Sequence, residues 1–265
     1  MPIDIAAPVR VHTQDEFHEV DRRVMAVIFA VHNEFGRLLD EKPFKQLIAR
    51  RCIAAGLDPV QREVRIRITH GSFSKDYFVD LLLCSGVILE AKAVENLVAA
   101  HTAQTLNYLL LTGLNHAMLV NLRPDRVQRQ FVSTQLTPER RRAFRIESDR
   151  WQPLSPACEQ LRRILPELLH DWGAFREVNL YREALLHFLG APLIAPVDVF
   201  DGDQVVGLQP VHLIAPDVAL ACTAFTARKE AMKIHLRRLL AHTGLRAFQW
   251  INFNRDTIEL VTLKK

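Results

Sequence analysis

The hydrophobic pattern changes its period near residue 60, and this change limits the folds that the chain can adopt. Apolar residues recur at helical spacing over residues 15–35, and Gly36 ends this predicted helix. Asp40 is the predicted cap of a second helix over residues 41–55. In QREVRIRIT (61–69), apolar and charged residues then alternate, which is typical of a half-buried strand. The N-terminal part therefore combines both kinds of element.

Further strands and one helix are predicted downstream. The strands are expected at residues 76–83, 87–94, 117–122 and 130–133, and the helix at 98–112. The order ααβββαββ predicts an α/β domain over residues 1–133, built as a small mixed sheet flanked by helices.

Composition and net charge limit the classes of protein to which the chain can belong. Of 265 residues, 49% are hydrophobic and 24% are charged, which excludes a disordered or fibrous chain. No apolar run approaches the roughly 18 residues of a membrane-spanning helix. The start MPIDIAAPVR lacks the pattern of a signal peptide, so we expect a cytoplasmic protein without a membrane partner. The net charge of +4 permits a nucleic-acid partner without requiring one.

The four cysteines predict neither disulfides nor a zinc site. They are far apart in the sequence, and no two cysteines or histidines have the spacing of zinc ligands. We expect buried free thiols at Cys52, Cys84, Cys158 and Cys222.

The second half of the chain repeats the pattern of the first. Residues 134–154 lack a sustained period and predict a linker. Its run of three arginines at 140–142 is expected to form a solvated face, and the alternative is contact with phosphate. After it, Trp172-Gly173 matches Phe35-Gly36, and Thr243-Gly244-Leu245 matches Thr112-Gly113-Leu114. We predict a duplicated unit over residues 155–265. The alternative is two unrelated α/β domains with a common βαβ pattern.

Three charged residues interrupt the apolar strands of the first unit. Glu90 and Lys92 share one face of the strand VILEAKAV, and Asp80 is the charge within the apolar stretch of the preceding strand. A hairpin between the strands would bring Asp80 near Glu90, and a divalent cation would relieve the repulsion of the two carboxylates. Lys92 could then stabilise a developing phosphate charge. The alternative is a buried Asp80–Lys92 ion pair, with Glu90 at a solvated edge.

Two helices add polar candidates to this site. Gln104 and Tyr108 share a face of the later helix, which can pack near the charged strands. Glu41 starts the second helix. The alternative for Gln104 and Tyr108 is an ordinary polar helix face and an aromatic ring of the core. The alternative for Glu41 is a carboxylate that complements the helix dipole.

The first unit resembles the GxxExxY proteins, a branch of the PD-(D/E)xK nuclease superfamily. The similar stretches are VIFAVHNEFGRLLDEKPF, YFVDLLLCSGVILEAKAVENL and HTAQTLNYLLLTGLNHAMLVNL. The resemblance implies a restriction-endonuclease-like fold with a Mg²⁺ or Mn²⁺ site. It assigns metal binding to Asp80 and Glu90, and catalytic roles to Lys92, Glu41 and Gln104. Leu38 and Phe44 replace the Gly and Tyr that name the branch.

The second unit lacks the charged positions. In the sequence alignment, His212 replaces Asp80, Ala221 replaces Glu90, Thr223 replaces Lys92 and His235 replaces Gln104. This replacement predicts a degenerate nuclease-like repeat without a catalytic metal.

The predicted function is metal-dependent hydrolysis of phosphodiester bonds in DNA or RNA by the first unit. Arg65, Arg67 and Lys75 could hold a phosphate backbone, or belong to an ordinary strand and turn surface. The chain could work as a monomer with an intramolecular pseudo-dimer. The alternative is an inactive nuclease-like module that binds nucleic acid or a protein partner.

Overall fold

The computed structural model of the protein describes residues 2–265. The chain divides into two units, which adjoin in sequence between Thr137 and Pro138. Each unit holds a six-stranded mixed sheet flanked by helices. The predicted α/β fold class is therefore confirmed.

Unit 1 follows the order predicted from the hydrophobic pattern, with one further strand at its start. Its helices are α1 (Gln14–Phe35), α2 (Glu41–Ala54) and α3 (Ala99–Thr112). Its strands are β1 (Ile3–Ile5), β2 (Val60–His70), β3 (Phe73–Leu83), β4 (Val87–Lys92), β5 (His116–Asn121) and β6 (Gln128–Ser133). The strands lie side by side in sequence order, and β4 and β5 are the parallel pair.

An apolar core joins α1 and α2 to the sheet of unit 1. Thr13 and Glu16 form a capping box that fixes the start of α1. The buried side chains include Val24, Ile28, Phe44, Ile48, Leu81, Leu89 and Val120. Alternation along the strands keeps Asp80, Glu90 and Lys92 out of this apolar cluster.

The first strand was not predicted from the sequence. Residues Ile3–Ile5 pair antiparallel with residues 66–68 of β2. Three residues are too few to show an alternating pattern, so β1 is defined by its partner strand rather than by its own sequence.

Unit 2 has helices and strands in nearly the same order. Its helices are α4 (Pro138–Arg142), α5 (Pro156–Trp172), α6 (Val178–Leu189) and α7 (Lys229–Ala241). Its strands are β7 (Arg145–Arg150), β8 (Ala195–Asp201), β9 (Gln204–Ala215), β10 (Val218–Thr223), β11 (Ala247–Asn254) and β12 (Thr257–Lys264). The sheet order is β7-β12-β11-β10-β9-β8.

The structure differs from the predicted linker at residues 134–154, because α4 and β7 lie within that segment. Strand β7 pairs in parallel with β12 at the end of the sheet. Its sequence RIESDR has a single apolar residue and shows no clear strand pattern. The arginine run is also not wholly solvated, since Arg141 is buried and donates a hydrogen bond to the carbonyl of Trp172.

Five strands have the same arrangement in both units. The order β2-β3-β4-β5-β6 corresponds to β8-β9-β10-β11-β12, with one parallel pair, β4–β5 or β10–β11, in the middle. The first strand of each unit is placed differently. Strand β1 lies beside β2, whereas β7 lies beside β12.

The parallel pairs define which residues of the two units correspond. Lys92 pairs with Asn121 in unit 1, and Thr223 pairs with Asn252 in unit 2. Thr223 therefore occupies the position of Lys92, in agreement with the sequence alignment.

One position of the sequence alignment is shifted by a residue. The last pair of the β9–β10 ladder is His212 with Leu220, and the last pair of the β3–β4 ladder is Leu81 with Leu89. His212 therefore corresponds to Leu81. Val211 therefore takes the position of Asp80. The cause is a β-bulge at the start of β10, which changes the register locally.

Both antiparallel ladders stop immediately before the predicted site positions. In unit 1 the pairing of β3 with β4 ends before Asp80 and Glu90. In unit 2 the pairing of β9 with β10 ends before Val211 and Ala221. The two strands therefore separate at the same point whether carboxylates are present or absent.

Two buried asparagines hold the chain just beyond these positions. The side-chain oxygen of Asn121 accepts the N–H of Val94, and its amide donates to the Val94 carbonyl, at 3.1 and 2.8 Å. Asn252 makes the same pair of hydrogen bonds with Phe225, both at 2.8 Å. Each asparagine thus fixes the segment that leaves the central strand.

The cysteines are free, as predicted. Cys52 and Cys158 are buried, whereas Cys84 and Cys222 are half-buried. Burial raises the pKa of the Cys52 thiol to about 12. Over residues 2–265, none of the helices combines the length and the apolar character needed to cross a membrane.

Replacing either asparagine by alanine should destabilise its unit. Asn121→Ala and Asn252→Ala each remove two part-buried hydrogen bonds, to the backbone of Val94 or Phe225, at a cost of about 2 kcal/mol. Urea unfolding should show this loss in the free energy of unfolding. Asn96→Ala, at an exposed position, is the control and should change stability by less than about 0.5 kcal/mol.

Candidate functional site

The site of unit 1 lies where β3 and β4 separate. Beyond Leu81 and Leu89 the backbone ladder stops, and two carboxylates take its place. The Asp80 N–H donates to Glu90 Oε1 at 3.2 Å, and the Ala91 N–H donates to Asp80 Oδ2 at 3.0 Å. Each carboxylate therefore binds a backbone group of the opposite strand, and the two side chains share the gap.

Burial makes this pair of acids electrostatically costly. Asp80 is 7% exposed and Glu90 is 1% exposed. Burial, and next the charge of Asp80, raise the pKa of Glu90 to about 8, while Lys92 acts in the opposite direction. The pair thus attracts a cation, which would allow both acids to ionise.

Lys92 contacts the buried acid of its own strand. Its Nζ lies 3.4 Å from Glu90 Oε2, and its side chain is 12% exposed. The structure therefore brings Asp80, Glu90 and Lys92 together. The predicted alternative of a direct Asp80–Lys92 ion pair is not the arrangement observed, since Lys92 pairs with Glu90.

Lys45 was not predicted from the sequence, although it lies at the centre of the acidic residues. Its Nζ is 2.8 Å from Asp80 Oδ1, 3.2 Å from Glu41 Oε1 and 3.5 Å from Glu63 Oε1. Glu41 is thus linked to Asp80 through Lys45. The spacing of Glu41 and Lys45, four apart at the start of α2, was the available signal.

The surroundings of Lys45 favour its charged form. Burial by itself disfavours the ammonium, but hydrogen bonds and charges from Asp80 and Glu41 outweigh burial and raise the pKa of Lys45. Lys45 therefore acts as a fixed positive charge beside Asp80.

Glu63 is a further residue that the sequence did not indicate. It lies opposite Asp80 in β2, between the paired residues Arg62 and Val64. Its φ of 49° falls in the left-handed region, which is uncommon for a residue with a side chain. Such conformations cluster at functional sites, and here the carboxylate reaches Lys45.

Gln104 is not brought into the acidic cluster. It donates a 2.8 Å hydrogen bond to the hydroxyl of Tyr108 on the same helix. Within the described residues it makes no hydrogen bond to Asp80, Glu90 or Lys92. Its predicted role therefore rests on the resemblance alone.

A cleft of about 400 Å³ opens beside Asp80. Its lining includes Lys42, Lys45 and Arg62 together with Glu63, so cations and an acid border its mouth. Lys42 and Arg62 are exposed. A phosphate group could approach Asp80 along this cleft.

The strand cations considered from the sequence have other partners. Arg67 makes two hydrogen bonds of 2.7 Å to Asp76, and Arg65 lies 3.6 Å from Asp4. The Lys75 ammonium lies 5.2 Å from the centroid of the Tyr77 ring. These contacts favour the structural alternative for these residues.

The donor set of the gap suits a hard divalent cation. Mg²⁺ and Mn²⁺ bind carboxylate oxygens, and Mg²⁺ commonly takes one or two carboxylates with water and substrate phosphate as the other ligands. Asp80 and Glu90 supply two such carboxylates. Among residues 2–265, no three His, Cys, Asp or Glu side chains are grouped to hold a metal. A cation here would therefore depend on water and substrate for most of its coordination.

The corresponding gap of unit 2 lacks acidic side chains. Val211 and Ala221 occupy the carboxylate positions, and the Thr223 hydroxyl donates to Asn252 Oδ1 at 2.7 Å. A buried acid, Glu259, lies instead on β12, where Lys229 pairs with it at 2.9 Å. The Thr223 hydroxyl and the Glu259 carboxylate therefore both have partners within unit 2.

Comparison with known proteins relates unit 1 to a superfamily of nucleases. Residues 18–133 match the family model of the PD-(D/E)XK nuclease superfamily. This range includes Glu41, Asp80, Glu90, Lys92 and Gln104. The match supports a nuclease-like fold for this part of the chain.

The solved crystal structure of SSO0001 is also similar, at 19% sequence identity and a TM-score of 0.26. The similarity covers 45% of this chain and 68% of that one. The comparison with curated proteins yields no match.

Glu90→Gln should remove a pH-dependent loss of stability from the metal-free protein. Because the pKa of Glu90 is raised from 4.5 to about 8, the folded state holds this proton more tightly than the unfolded chain. The stabilisation is complete below about pH 4.5 and is lost as the pH rises through about 8. Urea unfolding in EDTA should therefore show the variant gaining stability relative to the wild type as the pH rises from about 4.5 to about 8.

Glu95→Gln provides the matched control, since Glu95 is exposed. Its difference from the wild type should stay constant over this pH range. A constant difference for Glu90→Gln as well would contradict the assigned protonation of Glu90.

Proposed function

We propose that unit 1 hydrolyses phosphodiester bonds of DNA or RNA with the help of Mg²⁺ or Mn²⁺. Asp80 and Glu90 are the proposed metal ligands, and Lys92 is the proposed catalytic cation. The family match over residues 18–133 supports this class of reaction.

The observation that carries the proposal is the pair of buried carboxylates between β3 and β4, since the corresponding strands of unit 2 separate without any carboxylates. In unit 2 the strands separate at the same point with Val211 and Ala221 in those positions. Burying two acids costs several kcal/mol unless they are paired. Lys45 and Lys92 supply this pairing in unit 1, so the acids and lysines form a charged set that unit 2 does without. A role in binding a cation, rather than a requirement of the fold, is our explanation for Asp80 and Glu90.

Each residue has a specific role under this proposal. A bound divalent cation would polarise a phosphate oxygen and lower the pKa of its water. Lys92, next to Glu90, would stabilise negative charge on the phosphate in the transition state. Glu41 would hold Lys45, and Gln104 would position the substrate from the exposed side of α3.

A non-cleaving module is the second candidate. It is favoured by the contact of Lys45 with Asp80, which supplies a positive charge without any metal. In that case the cleft with Lys42 and Arg62 would bind a phosphate backbone, or an acidic protein, and leave it intact.

We also propose that unit 2 is a degenerate copy of unit 1 that binds no catalytic metal. The common order of five strands and the matching hydrogen bonds of Asn121 and Asn252 support a shared origin. Val211 and Ala221 leave the second gap without ligands for a cation.

Lys92→Ala should lower cleavage by about 100- to 1,000-fold, because it removes stabilisation of the transition state. The measurement is turnover of labelled single- and double-stranded DNA and RNA with Mg²⁺ or Mn²⁺. Lys75→Ala, a lysine of β3 outside the acidic gap, is the matched control and should cleave like the wild type.

Binding experiments distinguish the two candidates. If the wild type binds a substrate in gel-shift assays but cleaves none of the panel, the non-cleaving module is the better description. Equal cleavage by the wild type and Lys92→Ala would mean that Lys92 is structural.

His212→Ala and His235→Ala should leave both cleavage and the stoichiometry of Mn²⁺ binding unchanged. Neither histidine lies near a carboxylate in the second gap, since the positions there are Val211 and Ala221. Isothermal titration calorimetry checks the stoichiometry. Loss of a bound Mn²⁺ in either variant would assign a metal to unit 2.

A further inference from the structure

We propose that Lys45 occupies the cation position of the site in the metal-free protein, and that a divalent cation binds Asp80 by exchange with the Lys45 ammonium. This inference rests on the proposed function, because it assumes that Asp80 and Glu90 bind a metal. It adds a residue that controls how tightly the metal binds.

The partners of Asp80 decide what a metal must displace. Its Oδ2 accepts the N–H of Ala91 at 3.0 Å, and its Oδ1 accepts a hydrogen bond from Lys45 at 2.8 Å. The Ala91 donor belongs to the backbone of β4 and cannot withdraw. Of the groups that hold these two oxygens in the described structure, Lys45 is therefore the one that can move.

Glu90 offers no easier entry. It is 1% exposed, its Oε1 accepts the N–H of Asp80, and its Oε2 lies 3.4 Å from Lys92. The open cleft instead reaches Asp80 and has Lys45 in its lining. A cation that enters through the cleft meets the Lys45–Asp80 pair before it reaches Glu90.

Lys45 has two other acids to which it can move. Glu41 Oε1 lies 3.2 Å and Glu63 Oε1 lies 3.5 Å from its Nζ. These side chains are 36% and 62% exposed, compared with 9% for Asp80. A small displacement toward solvent would therefore release Asp80 and keep the ammonium paired.

Competition of this kind has a measurable consequence. A divalent cation and the Lys45 ammonium, both at contact distance from Asp80 Oδ1, would repel each other strongly in a partly buried site. The ammonium must leave the oxygen before the metal binds, so its presence weakens metal affinity. Removal of the Lys45 charge should tighten metal binding even though it removes no metal ligand.

The experiment measures Mn²⁺ binding to the full chain by isothermal titration calorimetry, without substrate. We expect Lys45→Met and Lys45→Gln to bind Mn²⁺ about tenfold more tightly than the wild type. Lys42→Gln makes the same charge change three residues earlier on α2, in the lining of the same cleft, and should stay within about twofold of the wild type. Lys45→Arg keeps the charge and should bind no more tightly than the wild type.

Thermal melting gives a readout for folding in the same samples. Without metal, Lys45→Gln should melt at a lower temperature than the wild type, because three carboxylates lose their common cation. Mn²⁺ should raise its melting temperature by more than it raises that of the wild type. If the Lys45→Met variant does not fold, the Lys45→Gln variant still tests the proposal.

The possible failures are distinguishable. Equal or weaker Mn²⁺ binding by the Lys45 variants, or an equal gain in Lys42→Gln, would overturn the exchange at Lys45. The metal site itself would stand in that case if Asp80→Asn abolishes binding. Absence of Mn²⁺ binding in the wild type and in all variants would overturn both the exchange and the proposed metal-dependent function.

Discussion

The separation of β3 from β4 is the constraint on which the site depends. Ladder hydrogen bonds end at Leu81 and Leu89, and the backbone groups beyond them need partners. In unit 1 the carboxylates of Asp80 and Glu90 accept two of these N–H groups. The same hydrogen bonds hold the acids in fixed positions, so the fold supplies the orientation that a metal site requires.

Holding two acids in this gap requires positive charge, and the protein supplies it from two sides. Lys92 approaches Glu90 from the same strand, whereas Lys45 approaches Asp80 from α2. The first contact is longer, at 3.4 Å compared with 2.8 Å. Lys45 is therefore the stronger neutralising partner in the absence of metal, and Lys92 is the less tightly held of the two lysines.

The sequence predicted the acids of the site because they interrupt apolar strands. A charge within YFVDLLL or VILEAKAV must be paired when buried, so Asp80, Glu90 and Lys92 were identifiable from one chain. Lys45 and Glu63 were not, because each lies among other charged residues where one more charge is ordinary. Their importance depends on the packing of α2 and on a backbone φ of 49°, which local sequence does not reveal.

The sequence also did not predict the edge strand of unit 2 or the exact register between neighbouring strands. Strand β7 was missed because RIESDR shows no apolar alternation, and its parallel partner β12 lies more than 100 residues later. His212 was aligned with Asp80 because a bulge moves the register of β9 against β10 by one residue. In both cases the hydrophobic pattern identified the strand or its neighbours. The place of the strand in the sheet and its register depend on pairing with residues distant in the sequence.

Comparison of the two units distinguishes residues that serve the shared fold from residues that serve the proposed reaction of unit 1. Asn121 and Asn252 keep the same hydrogen bonds, so this buried amide serves the architecture. The acids are absent from the second gap, and a threonine hydroxyl bonded to Asn252 takes the position of Lys92. A closely similar strand arrangement forms in unit 2 without acids at these positions, so the arrangement of strands does not by itself demand them. Their desolvation is a cost that unit 2 avoids. In unit 1 Lys45 and Lys92 offset part of this cost, and a bound cation would offset more of it.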